Sequence, residues 1–71
     1  MNKNDFAAEV TSLQGNMYRL ALSILRNETQ AEDAVSEAIV RAYEKLDHLK
    51  DKGKFKPWIL QIVVNEARRI Y

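Results

Sequence analysis

FKPWILQIVVNEARR, residues 55–69, is the stretch on which the reading of this chain turns. A basic loop there hands over to a segment with apolar residues on most of a helix's circumference. Trp58, Ile59, Leu60, Ile62, Val63 and Val64 cover most of two turns, so the start of this helix is expected inside a core, covered by other helices. Pro57 suits its first position, where the fixed φ is pre-set and the missing N–H has no intrahelical partner to lose. Gln61, Asn65, Arg68 and Arg69 are spaced i, i+4, i+7 and i+8 and share one side. A buried helix that keeps one strip of amides and guanidiniums points to a partner that reads the strip.

Upstream, Phe6, Val10, Leu13, Met17, Leu20, Ala21 and Ile24 recur at three- and four-residue steps. That is the pattern of one long amphipathic helix, or of two short ones end to end. Gly15 costs a helix about 1 kcal/mol relative to alanine. A bend or break at Gly15-Asn16 therefore stays open, with a nearly continuous helix from about Asp5 to Arg26 favoured by the unbroken rhythm. After an Asn27-Glu28 turn, Thr29-Gln30-Ala31-Glu32 has the form of a capping box. A second helix is expected from Gln30 to about Leu46, with Ala31, Ala34, Val35, Ala38, Ile39, Ala42, Tyr43 and Leu46 inward. Its alanines call for close approach of a neighbour. Asp33, Ser36, Glu37, Val40 and Glu44 fall in one outer sector, and Arg41 is placed to relieve Glu37. On composition the sector reads first as a solvated acidic face, with a docking surface as the second reading.

The chain of 71 residues makes one domain, residues 1–71, of all-α class: a compact three-helix bundle. A domain this small buries only roughly 60% of its unfolded surface, so modest stability is expected. There is no cysteine, which excludes disulfides and thiolate metal sites. No segment approaches the ~20 apolar residues that span a bilayer, and a cytoplasmic protein without membrane insertion is expected. The net charge of +1 hides an asymmetry. Residues 1–49 carry five basic against eight acidic side chains, a net of −3; residues 50–71 carry six against two, a net of +4. Two surfaces for two differently charged partners fit that split.

Asp47 to Lys54 reads as a polar, lysine-rich loop in which Gly53 is free to take positive φ. His48, the one histidine, has no second ligand beside it, so no metal is expected. No phosphate-binding glycine loop and no paired nucleophile and base appear, so neither an enzyme nor a cofactor is indicated.

Taken together, RLALSILRNETQAEDAVSEAIVRAYEKLDHLKDKGKFKPWILQIVVNEARR (residues 19–69) resembles the second conserved region of bacterial sigma factors of the extracytoplasmic-function (ECF) type. The AEDAVSEAIVRAYEKLD and FKPWILQIVVN blocks carry most of the resemblance, in the family's order and with a loop of the expected length between them. It implies a non-enzymatic domain of transcription initiation. The acidic helix would dock on the clamp helices of the RNA polymerase β′ subunit through Asp33, Ser36, Glu37, Ile39 and Tyr43. Ser36 and Ile39 depart from the family's usual glutamine and phenylalanine. The loop, with His48, Lys50, Lys52 and Lys54, corresponds to one that captures a base flipped out of the non-template strand of the minus-ten promoter element. Asn65 matches an asparagine supporting that recognition, and Trp58 an aromatic where the strands part. Lys56, Gln61, Arg68 and Arg69 would add phosphate or base contacts. Trp58 can equally anchor the third helix in the core, and Phe55 reads as core packing. Ile59 stands where primary sigma factors have a second tryptophan, which implies weaker melting. An anti-sigma factor is a further partner of the family. Members of the family also carry a second helical domain that reads the minus-thirty-five element, so the chain ending at Tyr71 reads as part of a longer protein whose last helix is unfinished. Two other readings are a helical protein-interaction module without a nucleic-acid role and, less favoured by the apolar first turn of the last helix, a duplex-reading helix-turn-helix.

Overall fold

A computed structural model describes residues 1–71. Three helices follow one another, α1 (Lys3–Leu25), α2 (Glu28–Glu44) and α3 (Phe55–Ile70), with 3₁₀ turns at Leu46–His48 and Lys52–Lys54 between the last two. Each helix packs on the other two. The longest dimension, 32 Å, is close to what a helix of α1's length spans at ~1.5 Å per residue. The expected all-α bundle is what forms, and none of its helices is long and apolar enough to cross a membrane.

The core is a single seam of thirteen apolar residues, drawn from all three helices. From α1 come Phe6, Val10, Leu13, Met17 and Ala21, the three- and four-residue rhythm visible in the sequence. From α2 come only Ala31, Ala34, Ala38 and Ala42, all with no exposed surface, and α3 faces them with Phe55, Ile59, Val63 and Ala67. Small side chains on one helix against large ones on another let α2 and α3 approach closely, as a close-packed interior requires.

The helix ends correct several expectations. α1 starts at Lys3, where the Asn2 side chain accepts the Asp5 N–H at 2.8 Å. It runs through Gly15 without a break, and no glycine has positive φ. Burial of Leu13 and Met17 on either side of Gly15 outweighs its helix penalty, as tertiary packing commonly does. The reversal comes at Arg26, the one non-glycine residue with positive φ (54°), whose N–H bonds Leu22 O at 2.8 Å. Glycine usually fills that left-handed position, because it has no Cβ to clash. α2 then begins two residues before the expected Gln30. Its cap is Asn27, whose side chain accepts the Gln30 N–H at 2.9 Å, so Thr29 lies inside the first turn and no Thr29–Glu32 box forms. An asparagine directly before the helix is as strong a cap as threonine, and it acts first along the chain.

α3 starts at Phe55, so Pro57 is its third residue rather than its first. The first turn still has no intrahelical acceptor for that N–H, so proline costs nothing there. Phe55, Ile59 and Val63 are buried, whereas Lys56 and Pro57 are exposed and Trp58, Leu60, Ile62 and Val64 are half-buried. The helix start is thus embedded along one side only. Phe55 is core, as expected, at 1% exposure.

Candidate functional site

Two exposed surfaces carry the candidate residues. On α2, Asp33, Ser36 and Glu37 are exposed, with Val40 and Glu44 beside them, and Ala34, Ala38 and Ala42 are buried behind. Ile39 is half-buried. Tyr43 is 46% exposed rather than inward, and its ring meets Phe6 edge-on at 5.4 Å. The face therefore mixes carboxylates with two accessible apolar side chains, Val40 and Tyr43. Arg41 does not relieve Glu37. Its guanidinium turns to α3, where Nε lies 3.0 Å from Glu66 Oε2.

The second surface is built where the chain passes from α2 to α3. The segment read as one loop holds two 3₁₀ turns, closed by His48 N–H to Lys45 O (2.8 Å), Leu49 N–H to Leu46 O (3.1 Å) and Lys54 N–H to Asp51 O (2.9 Å). Asp51 Oδ1 also accepts the Gly53 N–H at 2.9 Å, so an aspartate turn, not positive φ at Gly53, shapes the bend. These turns and the start of α3 enclose an open cleft of about 490 Å³ lined by His48, Leu49, Lys50, Asp51, Lys54, Pro57 and Trp58. Trp58, its ring tilted against Phe55 at 5.8 Å, lines it together with Lys50 and Lys54. A flat aromatic beside cationic donors suits a planar, anionic or acceptor-rich ligand.

Four of the ten residues expected to meet nucleic acid, His48, Lys50, Lys54 and Trp58, line this cleft. Lys52 and Lys56 are exposed but do not line it. Gln61, Asn65, Arg68 and Arg69 are all exposed and run down α3 from the cleft. Asn65 and Arg69 follow Trp58 at i+7 and i+11, so tryptophan, amide and guanidinium share one stripe. Gln61 Nε2 donates to Asn65 Oδ1 at 3.1 Å, which leaves the Asn65 amide nitrogen free to donate outward. Sequence reading left out Leu49, Asp51 and Pro57 as cleft walls, and Glu66 altogether. Glu66 is the one buried charged residue, and its Oε2 also lies 3.8 Å from Arg69 Nε. Nothing in a local pattern marks a glutamate whose partners come from another helix. Away from both surfaces, partial burial and then the Glu28 and Glu32 carboxylates raise the Tyr18 hydroxyl above its ordinary value near 10. No group of three or more His, Asp or Glu side chains is placed to hold a metal ion.

Comparison with known proteins gives this geometry a context. The family model described as Sigma-70 region 2 matches residues 10–71. The probable RNA polymerase sigma factor RfaY of Xanthomonas campestris pv. campestris is 39% identical over 59 residues, which are 83% of this chain and 15% of that protein. The ECF RNA polymerase sigma factor SigW of Bacillus subtilis is 33% identical over 64 residues, 90% of this chain and 34% of its own length. The ECF RNA polymerase sigma factor SigM of the same organism is 38% identical over 50 residues, 70% of this chain and 30% of its own length. The chain thus spans about a third or less of the length of these curated relatives. No solved structure matches it significantly.

Proposed function

The chain belongs to the sigma-70 region 2 family, as the region 2 domain of an ECF sigma factor, and from that premise we propose that it docks on RNA polymerase through α2 and captures the opened minus-ten element through the cleft and α3. The family acts by binding rather than by catalysis. The observation that carries the reading is the cleft, which Lys50, Lys54 and His48 line together with the half-buried Trp58. A surface opens a duplex when it binds the single strand better than the double one. Cations along the backbone and a stacking face for an unpaired base do this, because bases stacked within a duplex have no free face to offer. Stacking contributes about 1–3 kcal/mol per base, enough to offset part of the cost of unpairing a flipped nucleotide. Asn65, steadied by Gln61, offers an amide edge that can hydrogen-bond a base.

On α2, Asp33 and Glu37 offer carboxylates to basic groups of the β′ clamp helices, with Ser36 beside them. Tyr43 and Ile39 supply apolar area on the flank. A charged rim around a partly apolar patch steers encounter and then holds the complex. A single tryptophan at the cleft implies modest melting and a corresponding reliance on promoter sequence. An anisotropy titration of the protein with single-stranded minus-ten oligonucleotides, with and without core polymerase, tests the reading. Preference for non-template minus-ten sequence in the presence of core is expected. Equal binding of scrambled and minus-ten strands would reduce the domain to a helical interaction module.

A further inference from the structure

We propose that Glu66 is a positioning residue that holds Arg69 in place for a backbone phosphate of the bound strand, and so makes Arg69, not its neighbour Arg68, the oriented contact of the strip. The inference rests on the strand-binding reading above.

The Glu66 side chain is only 7% exposed. A carboxylate so placed is costly unless paired, so its partners are enforced by the fold rather than chosen from solvent. Both partners approach the same oxygen. Arg41 Nε comes from α2 at 3.0 Å, and Arg69 Nε comes from the next turn of α3 at 3.8 Å. The Arg41 N–H is buried and does not aim at the oxygen, so that contact is an ion pair held by helix packing, not a hydrogen bond. Arg41 thereby fixes Glu66 from the α2 side, and Glu66 offers a fixed negative point to Arg69. The Arg69 side chain is itself 63% exposed. A guanidinium is a planar fork of five donors, so an Nε drawn toward Glu66 leaves outer donors directed away from the core, on the stripe shared with Asn65 and Trp58. Arg68 makes no ion pair. An exposed arginine without a partner samples many rotamers and must lose them on binding, whereas Arg69 has lost part of that freedom beforehand.

Charge alone predicts the opposite sign. Glu66 is negative and close to the proposed phosphate path, so removing its charge should tighten binding if it did nothing but repel. The two accounts separate in a double-mutant cycle on single-stranded minus-ten oligonucleotide binding in the presence of core polymerase, read by anisotropy at several salt concentrations. Glu66→Gln and Arg69→Ala are each expected to weaken binding by about three- to tenfold and to flatten the log–log salt slope by ~0.7. The double variant is expected to lose no more than either single one. Glu66→Gln combined with Arg68→Ala is expected to be additive. Glu66→Asp keeps the charge but withdraws it by one methylene, and is expected to weaken binding too, which a pure charge effect would not. Additivity with Arg69→Ala, or tighter binding by Glu66→Gln, overturns the proposal. If Glu66→Gln melts too low to be measured, Glu66→Asp decides alone: unchanged binding overturns the assignment. A wild-type protein that does not bind the strand refutes the strand-binding reading, and this proposal falls with it.

Discussion

The acidic face of α2 and the cleft beside α3 are both exposed, but the fold holds them in different ways. The α2 face is the outside of one regular helix whose inside is four fully buried alanines. Its side chains are placed by helical geometry alone, and no hydrogen bond or ion pair of Asp33, Ser36 or Glu37 is needed to define it. The cleft is assembled from two 3₁₀ turns, an aspartate turn and the first turns of α3. Its aromatic wall rests on Phe55, which meets Phe6 edge-on at 5.9 Å, and Phe6 in turn meets Tyr43. A row of rings thus runs from Trp58 through the core to the α2 face. A regular helix supplies a face cheaply, whereas a concave site needs irregular backbone anchored to the core.

The sharpest way to break that comparison is to remove the shared anchor. Phe55→Ala should lower unfolding free energy by about 3–5 kcal/mol and damage both faces together. Denaturant titration measures it, and a loss under about 1 kcal/mol would show that the cleft does not depend on the core. Glu37→Lys should act on one face only. A like-charge contact in place of a complementary one is expected to weaken polymerase binding by tenfold or more, about 1.4 kcal/mol, with helicity by circular dichroism intact. Normal docking would refute the α2 assignment. Replacing Lys50, Lys52 and Lys54 together by alanine should leave docking alone and flatten the salt dependence of oligonucleotide binding, by ~0.7 in log–log slope per lost phosphate contact. Lys52 does not line the cleft, so a full threefold reduction would mean that the strand extends past the cleft rim. Asp51→Ala tests the irregular backbone itself. Loss of one exposed side-chain bond to Gly53 should cost no more than about 1 kcal/mol while weakening oligonucleotide capture, since the bend that presents Lys50 and Lys54 is loosened.

The helices were legible because burial along α1, α2 and α3 repeats at helical spacing, and the acidic face followed from the same periodicity. The ends were less so. Thr29 and Asn27 are both good caps, and only the path from the left-handed Arg26 decides which one the helix uses. Pro57 is compatible with any first-turn position, so it marked the start of α3 only to within two residues. The lysines, Trp58 and Asn65 were individually readable as candidates. That four of the expected residues close around one cleft, with Leu49, Asp51 and Pro57 completing it, depends on turns with no periodic signal.

By itself the sequence determined the number of helices, the buried stripe of α1 and the alanine seam of α2, the division into an acidic and a basic part, and the family, because these follow from local spacing and residue type. Only the tertiary structure decided that Arg41 leaves Glu37 for Glu66, that Glu66 is buried between two arginines, and that Tyr43 stays accessible. The reason is physical. Which charge pairs with which, and which ring stays wet, depends on how closely α2 and α3 approach, and that distance is set by the alanines of one helix against the bulk of the other.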